Sequence, residues 1–385
     1  MRKLFTIALA IGLFAFVATS ANAQERYVAG GFEMSGHILA GGGYQHHNNK
    51  AQTYLTNDGD AFYDAGVMGK YLGTAPAASS DHFSFFVDSV ELDIMKSFGE
   101  NVRLRADLDF ARVASGGLGM AAFVLEPYAT ANIPVGNGIE FLMGRFNTPI
   151  GFEAVDVIDN DTISKSVIST GLRSSNTTGM KIYYAFSDLV DFHFYVVNTL
   201  TQDSNVKIND IPSVGMRLGF NWGDEGTEST FGISGQFGPE TRLSNKHFTF
   251  LGDIDLSWWI TEAFNLGLEG IFRQDNARDA TFANTRYMGG LLNLKYCFSD
   301  VWDGTLRYVF AKQYQGANGA GIWNDLTGSG NNVRQSMHQI SLALNYMLAE
   351  GAQFRLEPRF DIVNPAGGGN TEYVFGGALA FGYHF

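Results

Sequence analysis

Cysteine and proline are scarce: Cys297 is the only thiol among 385 residues, and there are 8 prolines. One cysteine excludes any intrachain disulfide framework. No His or other base adjoins Cys297 in sequence, so it reads as a packed or pore-facing bystander rather than a nucleophile. Beyond residue 23 no uninterrupted apolar run approaches the roughly 20 residues a spanning helix needs, and the mean hydropathy is −0.04. A membrane location would therefore require a closed sheet, because only helices and barrels satisfy every backbone group in hydrocarbon. Positive charge is also short, with 26 Lys and Arg against 39 Asp and Glu and a net charge of −13. That balance argues against nucleic acid as a partner. No coenzyme fingerprint is present. Gly41-Gly42-Gly43 lies inside a strand pattern, where glycines permit bending or close packing rather than phosphate binding, and no cofactor is expected.

What is plentiful is glycine and aromatic residues: 46 Gly, 32 Phe and 16 Tyr. That profile suits many glycine-relieved, aromatic-flanked strands. The two ends set the compartment. Residues 1–23 carry Arg2 and Lys3, an apolar run from Leu4 to Val17, and Ala21-Asn22-Ala23, the three-part layout of a cleavable secretory signal. The mature chain then spans 24–385, and loss of the two leader cations takes the net charge from −13 to −15. At the other end Tyr373, Phe375, Leu379, Phe381, Tyr383 and the terminal Phe385 share one parity, opposite Glu372, Ala378, Gly382 and His384. A last strand with one greasy face and an aromatic final residue is suited to closing a barrel in lipid. It resembles the C-terminal signal by which bacterial barrel assembly machinery takes up its substrates, with Phe385 as the residue read, and implies the bacterial outer membrane.

Two-residue alternation organises the chain. Val102, Leu104, Ala106, Leu108 and Phe110 interleave with Arg103, Arg105, Asp107 and Asp109. Phe354, Leu356, Pro358, Phe360 and Ile362 interleave with Gln353, Arg355, Glu357, Arg359 and Asp361. The pattern recurs almost to the end, which favours apolar residues outward to lipid and charge inward around water. Strands are predicted near 31–45, 84–98, 101–114, 121–133, 138–147, 177–187, 190–200, 212–223, 229–238, 246–260, 263–276, 285–299, 302–315, 334–348, 351–364 and 370–385. The fold class expected is all-β, a transmembrane antiparallel barrel of about sixteen strands, an even number as bacterial single-chain barrels require. Tight turns near residues 98–101, 187–189, 261–262, 299–301 and 350–351 alternate with longer connections, the asymmetry of periplasmic and extracellular ends. Trp222, Trp258, Trp259, Phe264, Phe298, Trp302, Tyr184 and Phe186 fall beside the tight turns, as an interfacial girdle would.

A barrel of that size leaves a water-filled bore unless something folds into it. The connection 147–176 is too long for a hairpin and is the candidate. It carries Glu153, Asp156, Asp159 and Asp161, then Lys165 and Arg173. The stretch Gly144-Arg145-Phe146-Asn147-Thr148-Pro149-Ile150-Gly151-Phe152-Glu153 resembles the Gly-basic-Phe-x-Thr-x-x-Gly-x-Glu segment of the OmpL-like beta-barrel porins. Thr178-Gly179 and Tyr195-Val196-Val197-Asn198 add to the likeness, and Thr199 departs from it. The resemblance implies an outer-membrane channel for small hydrophilic solutes, and the count makes 147–176 the third extracellular loop, which general porins fold inward as an eyelet. We expect Glu153, Asp156, Asp159 and Asp161 to face Arg103, Arg105 and Arg145 across a constriction. Asp107, Asp109, Arg217, Arg307, Arg355 and Arg359 should line the lumen. Acids outnumber bases on the inward parity, so a weak cation preference is expected.

The loop 46–83 contains His46-His47 and Asn57-Asp58-Gly59-Asp60, but no Glu follows until Glu91, and an EF-hand needs a late bidentate Glu. It reads as a surface loop or a latch over a neighbouring subunit. Small outward residues, Gly36, Ala40, Gly42, Ala129, Ala131 and Gly377, would let barrels approach closely in lipid and suggest a homotrimer. Rival readings are a structural or adhesive barrel with a closed lumen and an outer-membrane acyl hydrolase. The hydrolase would need a nucleophile beside a strand-borne His193 or His338, and no serine motif accompanies either.

Overall fold

The computed structural model describes residues 27–29, 31–47, 81–110, 123–124, 126–173, 176–200, 209–240, 245–276, 284–315, 334–365 and 371–385. The leader at 1–23 and most of the loop 46–83 lie outside the described residues. Sixteen strands run in order: β1 (Phe32–His47), β2 (Asp81–Phe98), β3 (Val102–Asp109), β4 (Tyr128–Ile133, preceded by the short piece Phe123–Val124), β5 (Ile139–Asn147), β6 (Asn176–Ala185), β7 (Val190–Val197), β8 (Ser213–Trp222), β9 (Ser229–Pro239), β10 (Phe248–Thr261), β11 (Phe264–Asp275), β12 (Thr285–Ser299), β13 (Trp302–Gln315), β14 (Arg334–Ala349), β15 (Ala352–Pro365) and β16 (Glu372–His384). Each pairs antiparallel with the next, and β16 pairs with β1 from Val374↔His47 to His384↔His37, which closes the wall. A three-residue strand, Tyr27–Ala29, folds back on the start of β1.

The strand boundaries expected from alternation match closely over the described residues; of the run 101–114 the strand covers Val102–Asp109 and 111–114 lie outside the described residues, and one run differs. The run 121–133 is broken: Val124 pairs with Leu108, and pairing resumes only at Tyr128↔Arg105. Pro127 stands in the gap and has no N–H for the ladder, which is why the strand splits there.

Closure sorts the side chains by parity. Met143, Met180, Met216, Ile233, Ile254, Leu306 and Leu342 are exposed on the outer face. Between them Asp107, Asp253, Asp255, Arg307, Ser341 and Arg355 are buried on the inner one. Exposed large apolar residues on the outside of a closed sheet are what a lipid solvent stabilises and water does not. Short turns lie at one end, 262–263, 300–301 and 350–351 among them, and the long connections at the other. Phe186, Trp222, Trp258, Phe298 and Trp302 are exposed beside the short-turn end, the position of a headgroup-level girdle.

Alternation does not anticipate an apolar patch inside the wall. Tyr195, Leu251, Ile271, Tyr287, Leu291, Val309, Met337 and Val363 are all buried and form one cluster with Ile150, Val167, Ile168 and Leu172 of the connection between β5 and β6. A smaller cluster joins Ile163 of that connection to Leu39, Phe86, Ala378 and Ala380. The connection is thus joined by its greasy residues to clusters that include its flanking strands β5 and β7 and reach strands far from it in sequence.

Candidate channel site

The connection 148–173 lies against inward side chains of β11 to β16. Its path starts at Gly151, whose φ of +83 is open to glycine, and where an added Cβ would lie 2.6 Å from Glu269 Oε1 and collide with Arg173. This is the second glycine of the stretch that resembles the porin family, and its role there is to let the chain turn in against the wall.

Glu153 follows. Its Oε1 accepts from Arg307 Nη1 at 2.5 Å, and its Oε2 accepts from Ser166 N at 3.0 Å and Ser166 Oγ at 2.5 Å. Arg307 also donates to Thr162 Oγ1 at 2.6 Å, Ser164 O at 2.6 Å and Ser164 Oγ at 2.8 Å. Glu357 stands 3.6 Å from Arg307 and accepts from Ser164 N at 2.8 Å. Gln339 Oε1 accepts from Val167 N at 2.8 Å. Asp161 accepts from Lys295 Nζ and Asn293 Nδ2, each at 2.8 Å. Arg355 donates to the carbonyls of Val157, at 3.1 Å, and Ile158. Arg359 joins Asp361 at 3.0 Å and Lys165 O at 3.3 Å. Asp159 is exposed, 3.8 Å from His384 Nε2. Asp156 is half-buried, and burial raises its carboxyl above the ordinary value, with the Lys165 ammonium pulling the other way.

The expected facing of the loop acids toward Arg103, Arg105 and Arg145 is not what the structure brings together. Arg105 pairs with acids of its own wall, Asp107 at 2.7 Å and Asp93 at 3.6 Å. Arg103 is exposed at the short-turn end of β3, opposite Ser97. Arg145 stands opposite Thr178, on the parity of Met143 and Met180, and is buried. Glu153 and Asp161 instead meet Arg307 and Lys295, because the loop crosses to the far side of the barrel. Arg217 pairs with Asp255 at 2.7 Å, and Asp109 is buried opposite Glu91. Sequence reasoning missed Glu357, Gln339, Ser164, Ser166 and Glu269 as loop anchors. The inward parity of Glu269, Gln339 and Glu357 was legible, their height and azimuth were not, and the loop serines Ser164 and Ser166 carry no parity signal.

On the wall of β1 to β4, Glu91, Asp93 and Asp107 offer oxygens within 4.8 Å of one another, close enough to hold a cation. Beside them His37 Nε2 meets Ser89 Oγ at 3.0 Å, while Glu91 is 3.9 Å from His37 Nδ1. That last distance is too long for a hydrogen bond. His193 Nε2 is 3.5 Å from Asp191 and its Nδ1 has no hydrogen-bond partner among the described residues, and His338 bonds Tyr308 on the outer face.

The family described as "Putative beta-barrel porin-2, OmpL-like" matches residues 31–385. The chain belongs to this porin family. No curated protein matches it in sequence. Among solved structures it is similar to the outer membrane channel DcaP of Acinetobacter baumannii, with a TM-score of 0.64 and 12% identity over 95% of this chain and 100% of that one. It is also similar to an anion-selective porin from Comamonas acidovorans, at 0.55 and 12% over 92% and 99%. OmpT of Vibrio cholerae in its trimer form gives 0.55 and 9% over 92% and 99%. Family and fold together identify an outer-membrane porin, located in the bacterial outer membrane, and support a channel rather than an enzyme.

Proposed function

We propose that this porin is a passive diffusion channel for small hydrophilic solutes and ions, narrowed by the loop 147–176 and weakly selective for cations. One observation carries the reading. The loop takes up the basic side chains of the β11–β16 wall, Arg307, Lys295, Arg355 and Arg359, whereas Glu91, Asp93 and Asp107 crowd together on the β2–β3 wall with Arg105 as their one close guanidinium. Water between loop and wall therefore feels negative potential. Asp156 and Asp159 belong to this acidic side, and Glu153 and Asp161 act as anchors of the loop.

In planar bilayers, discrete conductance steps and a reversal potential of cation sign in a KCl gradient are expected. Arg105→Gln should raise the cation preference, and Asp107→Asn or Asp156→Asn should lower it. Because burial raises Asp156, it takes up its proton at a higher pH than an ordinary aspartate. Cation preference should therefore weaken on mild acidification, and less so in Asp156→Asn. Anion selectivity, the property named for the Comamonas acidovorans porin, would overturn the assignment of sign. Silence in the bilayer would favour a closed structural barrel, a reading to which the apolar packing of the loop lends weight.

The leader 1–23, recognition of Phe385 by the assembly machinery and a homotrimer complete the proposal. Gly36, Ala40, Gly42, Ala129, Ala131 and Gly377 supply small outward positions, and one similar structure is a trimer. Crosslinking in mild detergent should give a trimer band; monomer alone would count against it.

A further inference from the structure

Behind the first turn of the loop, two carboxylates are buried without enough hydrogens between them. Asp253 on β10 is 1% exposed, and neither of its oxygens has a hydrogen-bond partner. Glu269 on β11 is 4% exposed; its Oε2 accepts from Phe152 N at 3.1 Å, and its Oε1 has no partner. In the register Asp255 stands opposite Glu269 and Asp253 opposite Ile271. Asp253 and Glu269 are thus diagonal neighbours on one face, a spacing that long side chains can span.

The charges around them are accounted for. On the same strands Asp255 is held by Arg217, and Arg273 by Asp275, with a further bond to Leu172 O. From the loop, Glu153 is held by Arg307. Arg173 donates to the carbonyls of Ile150 and Glu153 and to Ser169 Oγ at 3.0 Å, so its guanidinium is the one charge left to balance two acids. From β7, Tyr195 OH accepts from Gln236 Nε2 at 2.7 Å. Two ionised carboxylates offer acceptors only, and burying both beside a single cation leaves an uncompensated buried charge. One proton between them satisfies both the hydrogen-bonding and the charge count.

We propose that Asp253 and Glu269 form a proton-binding site that holds one proton between them at neutral pH, and that this O–H···O⁻ bridge keeps Glu269 in place to accept from Phe152 N–H. Hydroxide removes the bridging proton as water, leaving two carboxylates that repel and loosen the loop where it turns in at Gly151. The device is a latch on the loop that responds to alkalinity.

The test uses the full-length barrel in lipid. Infrared spectra of protein labelled with ¹³C-aspartate should contain a protonated-carboxyl C=O band at neutral pH that shifts in D₂O, fades on alkaline titration, and is absent from Asp253→Asn. Protection of the Phe152 amide, its exchange rate taken relative to the base-catalysed rate of an unprotected amide at each pH, should fall over the same titration in the wild type. That protection should stay constant in Asp253→Asn and in Glu269→Gln, where an amide hydrogen replaces the proton. Lack of a band lost with Asp253→Asn would overturn the proposal. So would a band and exchange rate that follow added Ca²⁺ or chelator instead of pH, since the site would then hold a metal. The wild-type titration needs no variant to fold, and none of these readouts requires the lumen to conduct.

Discussion

Replacing Arg307 with methionine is expected to free the loop from the far wall at a cost of about 3–5 kcal/mol, the usual penalty for breaking a buried ion pair by removing one partner. Arg307 is 1% exposed and is the single cation between Glu153 and Glu357. Its guanidinium reaches Glu153 at 2.5 Å, Thr162 at 2.6 Å and Ser164 at 2.6 Å, so methionine leaves two buried carboxylates without their counter-charge and takes a donor from several loop acceptors. Lysine should rescue little, because a point charge cannot serve partners on both prongs of the fork. In the bilayer the variant should conduct with larger and noisier steps, and amide exchange at Ser164 and Ser166 should rise at least tenfold, equivalent to about 1.4 kcal/mol. Adding Glu153→Gln should recover part of the loss, which a double-mutant cycle would measure as coupling. Unchanged exchange at both serines would show that the apolar anchor alone holds the loop.

That anchor explains why some of the molecule was legible in its sequence and some was not. Alternation is a local signal: Val102 to Asp109 displays a lipid face and a water face because neighbouring side chains point opposite ways. Strand number, turn asymmetry, the closing strand and the presence of a long connection after β5 all follow from such local signals. The partners of the loop do not. Glu153 and Arg307 are 154 residues apart, Ser164 and Glu357 193. Parity says that each faces inward without saying which strand lies across the bore. Glu153 and Asp161, expected to face Arg103 and Arg105, bind Arg307 and Lys295 for that reason. A clue existed nonetheless. Tyr287 and Leu291 share the parity of Asn293 and Lys295, and Val309 and Ala311 share that of Arg307. Greasy residues on a water-facing parity need a cover, and Ile150, Val167, Ile168 and Leu172 are the cover.

The two kinds of anchor divide the work. Apolar burial is non-directional and stabilises the loop against the wall at roughly 25 cal/mol per Å². The hydrogen bonds that Arg307 and Arg355 donate and that Gln339 and Glu357 accept fix which loop atoms meet which strand, because each needs a particular partner at bonding distance. A loop held by the first alone would stay inside the barrel but would not present Asp156 and Asp159 at a defined place.

All of this depends on the outer face meeting hydrocarbon, and a pair of arginine substitutions tests it. Ile254, 52% exposed, lies midway along β10, and Ile260 lies on the same parity one residue from its short-turn end, beside Trp258. Refolded into phosphatidylcholine vesicles and titrated with guanidinium chloride, Ile254→Arg is expected to lose about 2–4 kcal/mol, the cost of a cation at the bilayer midplane. Ile260→Arg should lose only about 0–1 kcal/mol, because its guanidinium reaches the headgroups. A water-facing sheet would give two small losses of similar size, since arginine on a solvated surface costs little at either height. A protein core on that side would give two large ones, both positions being sealed from solvent. A graded loss, large at Ile254 and small at Ile260, is what a lipid layer with a thin interface imposes, and equal losses at the two positions would remove the basis for assigning an inner and an outer face.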